Sequence, residues 1–401
     1  MKRKALLPIL FLVLVMSCGQ VFATAAKPQE NNAASSGGIA QTARSYCLME
    51  QSSGKVLLEK DSEVQYPPAS ITKIMTVLLI NDAIDAGKIN WDDKVTISEH
   101  AAHMGGSQVF MEPGEEQTVR DLVKCICIAS ANDAAVAMSE YIAGSEDQFV
   151  ELMNKRAQEL GMNHTTFKNA CGLHVDGHLS CAKDIALMSR ELLRKHPEME
   201  KVFTTWMDSI THRTRRGETQ FGLANTNKML KWYPGITGLK TGYTPQAKHC
   251  VSATATRDQM SLIGVIMGAQ DGKIRFKEAG QLLDYGFANY KVKVGPKIGT
   301  IVGKQPIRKA DVKDIDVAVS ETMSFVIPKS SSGSELTYEL KVNEGLAAPV
   351  TKGQEVGNIV YYLDGKQVGE GKLVSATDAK KANLLQMIPF VGKTLFKAKA
   401  K

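Results

Sequence analysis

The spacing of apolar residues changes several times along the chain, and each change marks a different kind of structure. Two short apolar runs, 45–50 and 55–59, flank a turn that contains Gly54 and predict a β-hairpin. Three further strand patterns follow much later, at 235–243, 250–256 and 260–267. Residues 275–289 have the spacing of an amphipathic helix. Two early strands and three late ones around an insert predict an α+β domain with one antiparallel sheet.

The residues between these strands have mainly helical spacing. The apolar stretch 71–80 follows two prolines and continues without a helix breaker as far as Gly87, which predicts a buried helix. Four further helical runs lie at 118–128, 133–142, 147–160 and 183–193. We therefore expect a largely helical insert that extends to about Trp232.

The pattern changes again after residue 289. Short alternating runs recur between turn residues from 290 to 376, and this pattern is typical of a small all-β domain. The chain is therefore expected to have a main domain at 43–289 and a β-rich domain at 290–376.

The N-terminus has the features of a secretory signal peptide. Three basic residues precede an apolar run that ends at Met16, and the small residues at 23–25 form a cleavage signal, so residues 1–25 are expected to be removed. A lipoprotein site with lipid on Cys18 is an alternative. Residues 26–42 are small and polar and predict a flexible linker. With either simple signal-peptide cleavage or lipoprotein processing, the mature chain is expected to work outside the cytoplasm.

The C-terminus, 380–401, predicts an amphipathic helix at a membrane surface. Its apolar residues repeat at helical spacing among lysines, but the apolar part is too short to span a bilayer. We expect peripheral contact with the outer face of the cytoplasmic membrane. Because Pro389 and Gly392 interrupt the pattern, a flexible tail or a helix packed on the β domain is the alternative.

The net charge and the cysteine content narrow the range of possible functions further. The net charge of +7 includes three basic residues of the signal peptide, so the processed chain carries +4, which is too mild to indicate nucleic-acid binding. The six cysteines after Cys18 are irregularly spaced and are expected to be buried free thiols. His174, His178 and Cys181 have a spacing that a metal could use, but a structural role is favoured, and we expect no metal or cofactor.

Ser70 and Lys73 form a candidate pair of nucleophile and base. Residues three apart lie on one face of a helix, so the lysine amine can reach the serine hydroxyl. A serine hydroxyl needs such a base, and a lysine in an apolar wall can lose its proton near neutral pH. Alone, this spacing is common by chance, and a capping serine beside a solvated lysine is the ordinary alternative.

Two later motifs favour the catalytic interpretation. Ser130-Ala131-Asn132 lies on a turn between predicted helices, and a Lys-Thr-Gly sequence, 240–242, lies on a predicted strand. Ser-x-x-Lys, Ser-x-Asn and Lys-Thr-Gly in this order are the known signature of penicillin-binding proteins and class A β-lactamases.

The resemblance extends well beyond these motifs. Further matching segments are 66–70, 111–114, 128–133, 160–163, 172–173 and 238–244. From about Ala43 to Ala376 the chain resembles the serine-type D-alanyl-D-alanine carboxypeptidases of peptidase family S11, which are low-molecular-mass penicillin-binding proteins. The resemblance implies a penicillin-recognising, β-lactamase-like fold followed by a β-rich domain. It also implies peptidoglycan stem peptides as substrates and β-lactams as covalent inhibitors.

The resemblance assigns a role to each motif residue. Ser70 would form the acyl-enzyme, Lys73 would take its proton, and Ser130 would relay that proton to the leaving amine. Asn132 would position the substrate, and Lys240 would supply positive charge.

Recognition of the substrate is expected to involve the Lys-Thr-Gly strand. The backbone N–H groups of Ser70 and Tyr243 would form the oxyanion hole. Thr241, Gly242 and Arg275 would contact the substrate, and the arginine, placed by its offset after this motif, would bind the terminal carboxylate with Thr241. A surface helix cation is the alternative for Arg275. Ala131 and Tyr243 stand where some relatives have Gly and His.

Two other functions remain as alternatives. A class A β-lactamase needs a glutamate that activates the deacylating water, and Glu159 superficially imitates it, although the helix that carries it ends at Gly161. The β-rich domain also favours a carboxypeptidase. The second alternative is a non-catalytic cell-wall-binding protein, which the complete set of polar groups argues against.

Overall fold

The computed structural model describes residues 38–331 and 335–383. The expected signal peptide, most of the linker and the tail from residue 384 onwards lie outside these ranges. Within them, no helix combines the length and apolar character that crossing a bilayer requires. The α-helices are α1 Lys73–Asp85, α2 Glu99–Ala102, α3 Val119–Lys124, α4 Asn132–Ala143, α5 Glu146–Glu159, α6 Ala182–Lys195, α7 Met199–Phe203 and α8 Gly272–Asn289.

Sixteen strands are present in the described part of the chain. Those of the main domain are β1 Ser45–Glu50, β2 Val56–Lys60, β3 Lys94–Thr96, β4 Glu116–Thr118, β5 Met207–Thr214, β6 Gly217–Ala224, β7 Ile236–Thr244, β8 Lys248–Arg257 and β9 Met260–Ala269. Those that follow are β10 Tyr290–Val294, β11 Ile301–Pro306, β12 Asp314–Val319, β13 Ser324–Pro328, β14 Leu336–Val342, β15 Glu355–Leu363 and β16 Lys366–Ser375.

A five-stranded antiparallel sheet organises the main domain, as the apolar pattern predicted. Its order is β2-β1-β9-β8-β7, so the early hairpin pairs with a strand from the end of the domain. Alternate residues of a strand face opposite sides of the sheet. Cys47 and Met49 therefore pack against the helical insert, while Tyr46 and Leu48 pack in a second core with α8. The α+β prediction is confirmed.

The helical insert is built around α1. Residues on all sides of this helix are buried, among them Ile74, Leu78 and Ile80, which explains why its sequence has no polar stripe. Helices α4 and α6 pack against α1, and the whole insert covers one face of the sheet. The first turn of α1 is thereby fixed against the edge of the sheet that carries β7.

The insert is less uniformly helical than predicted. Strands β5 and β6 form a hairpin in the region expected to be helical, and β3 pairs with β4. Most residues of the hairpin are exposed or half-buried, so its sequence lacks the clear apolar alternation of a core strand. The predicted helix 118–128 ends at Lys124, where a wide π-turn, Cys125–Ala129, replaces it.

Both predicted domain margins need correction. The end of the expected linker is packed: Ala40 is fully buried, and the backbone N–H of Thr42 donates to Oε1 of Glu278 at 2.6 Å. At the other end, the expected tail helix does not begin at Lys380. Ala379 and Lys381 form bridges with two loops of the β-rich domain, so extended chain continues to about residue 382.

The β-rich domain contains a second five-stranded antiparallel sheet, ordered β11-β12-β16-β15-β14. Its own core includes Val317, Ile359 and Leu373. The separate pair β10 and β13 links the domains, since Val326 packs in the core that contains α8 while Phe325 packs in the β-domain core. The all-β prediction agrees with this architecture.

Candidate active site

Ser70 lies on a tight 3-10 turn, Ala69–Thr72, immediately before α1. Its side chain is half-buried, whereas Lys73, the first residue of α1, is fully buried. Nζ of Lys73 lies 3.1 Å from Oγ of Ser70, as the i, i+3 spacing predicted. The pair is therefore in hydrogen-bond contact at the mouth of the buried helix.

Lys73 has two further partners that fix its amine. Nζ donates to Oδ1 of Asn132 at 2.6 Å and to the carbonyl of Cys171 at 2.7 Å. Burial lowers the pKa of Lys73 to about 8, because the ammonium form loses hydration. In the neutral form two N–H groups satisfy Asn132 and Cys171, and the lone pair is then directed at the hydroxyl of Ser70.

Ser130 joins the site from the opposite wall. It ends the π-turn with a left-handed backbone, φ +64°, and π-turns inside helices are frequent at functional sites. Nζ of Lys240 donates to Oγ of Ser130 at 2.7 Å and to the carbonyl of Thr241 at 3.1 Å. Burial, together with the charge of Lys73, holds the pKa of Lys240 well below its ordinary value. Ser70 and Ser130 thus each have a lysine amine within hydrogen-bond distance.

Asn132 is held by the loop that follows α2. Its backbone N–H donates to the carbonyl of Ser107 at 2.7 Å, and Nδ2 donates to the carbonyl of Gly105 at 2.6 Å. These bonds orient the amide so that its oxygen faces Lys73. The three sequence motifs therefore meet in one cleft between the helical insert and strand β7.

Strand β7 approaches the Ser70 turn so closely that only glycine fits at residue 242. A Cβ there would lie 2.9 Å from the carbonyl oxygen of Pro68 and 3.0 Å from the backbone nitrogen of Ser70. The hydroxyl of Thr241 donates to that of Thr226 at 2.8 Å. Tyr243 is half-exposed and stacks on His249, with ring centroids 4.4 Å apart.

Arg275 lies beneath β7 and is not a free surface cation. Nη1 donates to the carbonyls of Gly242 at 3.0 Å and Cys250 at 3.2 Å, and burial lowers the pKa of the guanidinium to about 10. Nε is buried and has no hydrogen-bond partner within the described chain. The arginine therefore supports the Lys-Thr-Gly strand and retains an unused donor.

Several groups that complete the cleft were not predicted from the sequence. The carbonyl of Cys171 and that of Gly105 are backbone atoms, which carry no residue signature. Gly172, part of the matching segment 172–173, has φ +84°, and a Cβ there would lie 2.0 Å from the carbonyl oxygen of Ala69. Asp133 accepts hydrogen bonds from the backbone N–H groups of Val109 and Met111, and burial raises the pKa of its carboxyl.

Glu159 lies away from the cleft. Its carboxylate accepts from Nη1 of Arg156 at 3.3 Å, at the end of α5, and its side chain is half-exposed. None of the hydrogen bonds of Lys73 within the described residues involves a carboxylate. The glutamate that a class A β-lactamase requires is not supplied by this residue.

Two of the three residues with metal-like spacing, His178 and Cys181, form hydrogen bonds within the scaffold, whereas His174 is exposed. Nδ1 of His178 accepts from the backbone N–H of Lys168 at 3.1 Å, so Nε2 carries the proton and donates to Oγ1 of Thr72 at 2.8 Å. Cys181 caps α6 with His164 and Asp184 nearby, and the donor atoms of these three lie within 4.8 Å of one another. Asp184 already accepts from the backbone of His164. All six cysteines of the described chain are buried free thiols, as predicted.

Comparison with known proteins agrees with this geometry. The profile of the D-alanyl-D-alanine carboxypeptidase family, peptidase family S11, matches residues 29–271, and that of the C-terminal domain of penicillin-binding protein 5 matches residues 296–381. The chain is 43% identical over 350 residues to D-alanyl-D-alanine carboxypeptidase DacF of Bacillus subtilis, covering 87% of this chain and 89% of that protein.

Two further relatives extend the comparison. D-alanyl-D-alanine carboxypeptidase DacA of Escherichia coli K12 is 34% identical over 353 residues, which cover 86% of each protein. The crystal structure of penicillin-binding protein 5 from Haemophilus influenzae superposes with a TM-score of 0.70 at 32% identity, covering 85% of this chain and 98% of that one. Both domains therefore have counterparts in the same relatives.

Proposed function

The chain belongs to the D-alanyl-D-alanine carboxypeptidase family, peptidase family S11, and we propose that Ser70 is the residue on which its acyl-enzyme forms. The protein is a serine-type D-Ala-D-Ala carboxypeptidase that acts on peptidoglycan stem peptides and binds penicillin covalently. The observation that carries the assignment of Ser70 is the 3.1 Å contact between its hydroxyl and the buried amine of Lys73.

Acylation begins with attack of the Ser70 hydroxyl on the carbonyl between the two terminal D-alanines. Neutral Lys73 accepts the hydroxyl proton as the new C–O bond forms. The C–N bond then breaks, and Ser130 passes a proton to the departing amine of D-alanine. Lys240 supports this transfer, because its Nζ donates a hydrogen bond to Oγ of Ser130 and stabilises the negative charge that develops there.

The developing oxyanion would be held by the backbone N–H groups of Ser70 and Tyr243. The tight contact at Gly242 supports this, since it brings strand β7 next to the nitrogen of Ser70. Each such donor contributes roughly 3 kcal/mol in comparable acyl-transfer sites. Water then attacks the ester, releases the shortened stem peptide and restores Ser70, so that a pentapeptide donor for cross-linking is lost.

Recognition of the free terminal carboxylate falls to Arg275 and Thr241. Their placement supports this role, because the arginine lies against the carbonyl of Gly242 and keeps a buried donor unused, while Thr241 lines the same strand. A guanidinium forms strong charge-assisted hydrogen bonds with a carboxylate. Asn132 would donate to the peptide backbone of the substrate from the opposite wall.

A labelled penicillin separates this mechanism from its alternatives. A stable adduct on the peptide that contains Ser70, absent from a Ser70→Ala protein, is the expected result. Rapid turnover of the label would indicate a β-lactamase, and complete lack of an adduct would indicate a binding protein. An adduct on another serine would overturn the assignment of Ser70.

The protein is further proposed to work outside the cytoplasm, at the outer face of the cytoplasmic membrane. The predicted signal peptide and the lysine-rich apolar tail support this location. Basic residues near an apolar face favour binding to anionic lipid. Peripheral attachment would keep the enzyme close to newly made stem peptides.

A further inference from the structure

A concave groove lies outside the catalytic cleft, between the 3-10 turn Lys228–Lys231 and the first turns of α8. Its volume is about 750 Å³, within the range of sites that hold small molecules or short polymer segments. None of the groups assigned to acylation lines it. The groove is thus a separate feature of the main domain.

Four lysines give the groove a strong positive charge. They are exposed and come from both walls, namely Lys228, Lys231, Lys273 and Lys277. None of these ammonium groups lies within ion-pair distance of a carboxylate in the described part of the chain. The one acidic residue of the lining, Asp284, accepts from Tyr233 at 2.8 Å and pairs with Arg257 at 3.3 Å. The free charge of the groove is therefore cationic.

Two indole rings provide flat apolar surfaces beside these charges. Trp232 is half-exposed and lies against α8, where a Cβ on Gly280 would be in ordinary van der Waals contact with the ring, at 3.4 Å. Nζ of Lys231 lies 4.1 Å from the centre of the Trp206 ring. Exposed aromatic faces pack on the C–H faces of sugar rings, whereas ammonium groups attract carboxylates.

Both walls are attached to strand β7, which carries the Lys-Thr-Gly motif. Just before the 3-10 turn, Nδ2 of Asn227 donates to the carbonyl of Gly238 at 3.0 Å. On the α8 side, Arg275 lies between Lys273 and Lys277 in sequence and donates to the carbonyl of Gly242. Each wall of the groove is therefore tied, through a neighbouring residue, to the strand that borders the catalytic cleft.

We propose that the groove binds a second part of the polymeric substrate, an amino-sugar strand whose stem peptides carry carboxylates. This inference rests on the proposed function, because it assumes that the cleft cleaves stem peptides of peptidoglycan. The groove would hold the enzyme on the polymer while one stem peptide occupies the cleft. It would contribute little to cleavage of a short free peptide that occupies only the cleft.

The test compares the two substrates with a charge-reversed groove. The Lys228→Glu, Lys277→Glu protein is expected to lose about tenfold in kcat/KM on purified peptidoglycan and less than about twofold on a short peptide that ends in D-Ala-D-Ala. The difference in kcat/KM on peptidoglycan between the wild type and the charge-reversed protein should become smaller as the salt concentration is raised. A Lys341→Glu, Lys366→Glu protein carries the same charge change on the β-rich domain and should retain activity on both substrates.

Three results would overturn the proposal. One is equal loss on both substrates, and another is an equal loss on polymer in the control protein. The third is a charge-reversed groove that binds anionic phospholipid vesicles less tightly but peptidoglycan as before. A Trp232→Ala protein adds a check that leaves charge unchanged, and it should also lose activity on polymer while cleaving the short peptide normally.

A binding measurement separates the groove from the catalytic proposal. In a Ser70→Ala background, sedimentation with insoluble peptidoglycan does not depend on turnover. Weaker sedimentation after charge reversal of Lys228 and Lys277 supports the groove even where hydrolysis fails. Unchanged sedimentation overturns it, whatever the result of the penicillin experiment.

Discussion

Nζ of Lys73 lies 2.6 Å from Oδ1 of Asn132, closer than its 3.1 Å approach to Oγ of Ser70. The partner is an uncharged amide, which accepts a hydrogen bond without adding a negative charge beside the amine. A carboxylate at this position would strongly favour the ammonium form, because opposite charges at such a distance stabilise each other. The amide of Asn132 thus gives the Lys73 amine a hydrogen-bond acceptor and still permits a low pKa for this lysine.

The pH dependence of acylation should report this relationship. The base form of Lys73 is required, so the wild-type rate of penicillin acylation should rise with pH through about 8 and then level off. Asn132→Asp should move that rise upwards by about 1–3 pH units. Asn289→Asp makes the same charge change on the surface and should leave the pH of this rise unchanged. A common pH dependence for all three proteins would refute this role of Asn132.

Arg275→Ala should discriminate between substrates with and without a terminal carboxylate. Losing a charge-assisted contact should cost about 1.5–3 kcal/mol in kcat/KM on a peptide that ends in free D-Ala-D-Ala. Acylation by an ester substrate without that carboxylate should change much less. Comparable losses on both would mean that the arginine only supports strand β7 through the carbonyl of Gly242.

His178 should make the fold sensitive to acid. Burial lowers the pKa of this imidazole from 6.5 to about 4, so the unfolded chain takes up a proton at a higher pH than the folded chain. Its contribution to stability is present above pH 6.5 and is lost progressively as pH falls to about 4, by roughly 3 kcal/mol in total.

A His178→Gln protein lacks this titration. It should be less stable than the wild type at pH 7.5, because it disturbs the contacts with Thr72 and Lys168. The stability gap should narrow by pH 4.5, as measured by denaturant unfolding at both values. A gap that stays constant would show that the histidine becomes protonated without cost to the fold.

The tail predicted to bind membranes begins, as a separable segment, after residue 382. A truncation that ends beyond this residue leaves the β-rich domain intact. A protein that ends at Asn383 keeps the bridges of Ala379 and Lys381, whereas one that ends at Thr377 loses both. The protein that ends at Thr377 should therefore have a lower thermal stability. The protein ending at Asn383 should stay soluble with anionic vesicles that sediment the mature protein, and should cleave a short peptide normally. Equal partitioning of these two would reject the membrane-surface helix.

The sequence predicted those parts of the site where the chemistry depends on side chains at fixed spacing. Ser70 and Lys73 are one helical turn apart, so their contact follows from local geometry. The meeting of Ser130 with Lys240 is a long-range contact, and its prediction depended on the resemblance to a known family. The carbonyl oxygens of Cys171 and Gly105 could not be predicted, because any residue supplies the same backbone atom.

The fold was predictable where burial imposes a period. Strand β1 is buried on both faces, because its alternate residues face two different cores, and it therefore appeared in the sequence as a short apolar run beside a turn. The hairpin of β5 and β6 has most of its side chains in or near solvent, and helical propensity was the wrong guide there. Ala40 was assigned to a flexible linker because a short segment of small residues gives no sign of the surface that covers it.

The pairing of β1 with β9 also sets the order in which the enzyme can become active. Ser45 lies directly opposite Met267 in the antiparallel register, so the central sheet joins segments separated by roughly 220 residues. Closing such a long loop is entropically costly, and sheets with distant partners form slowly. A chain that emerges from its N-terminus would carry Ser70 and Lys73 well before strand β7 arrives to complete the cleft. Catalytic competence is therefore a late event in the biogenesis of this protein.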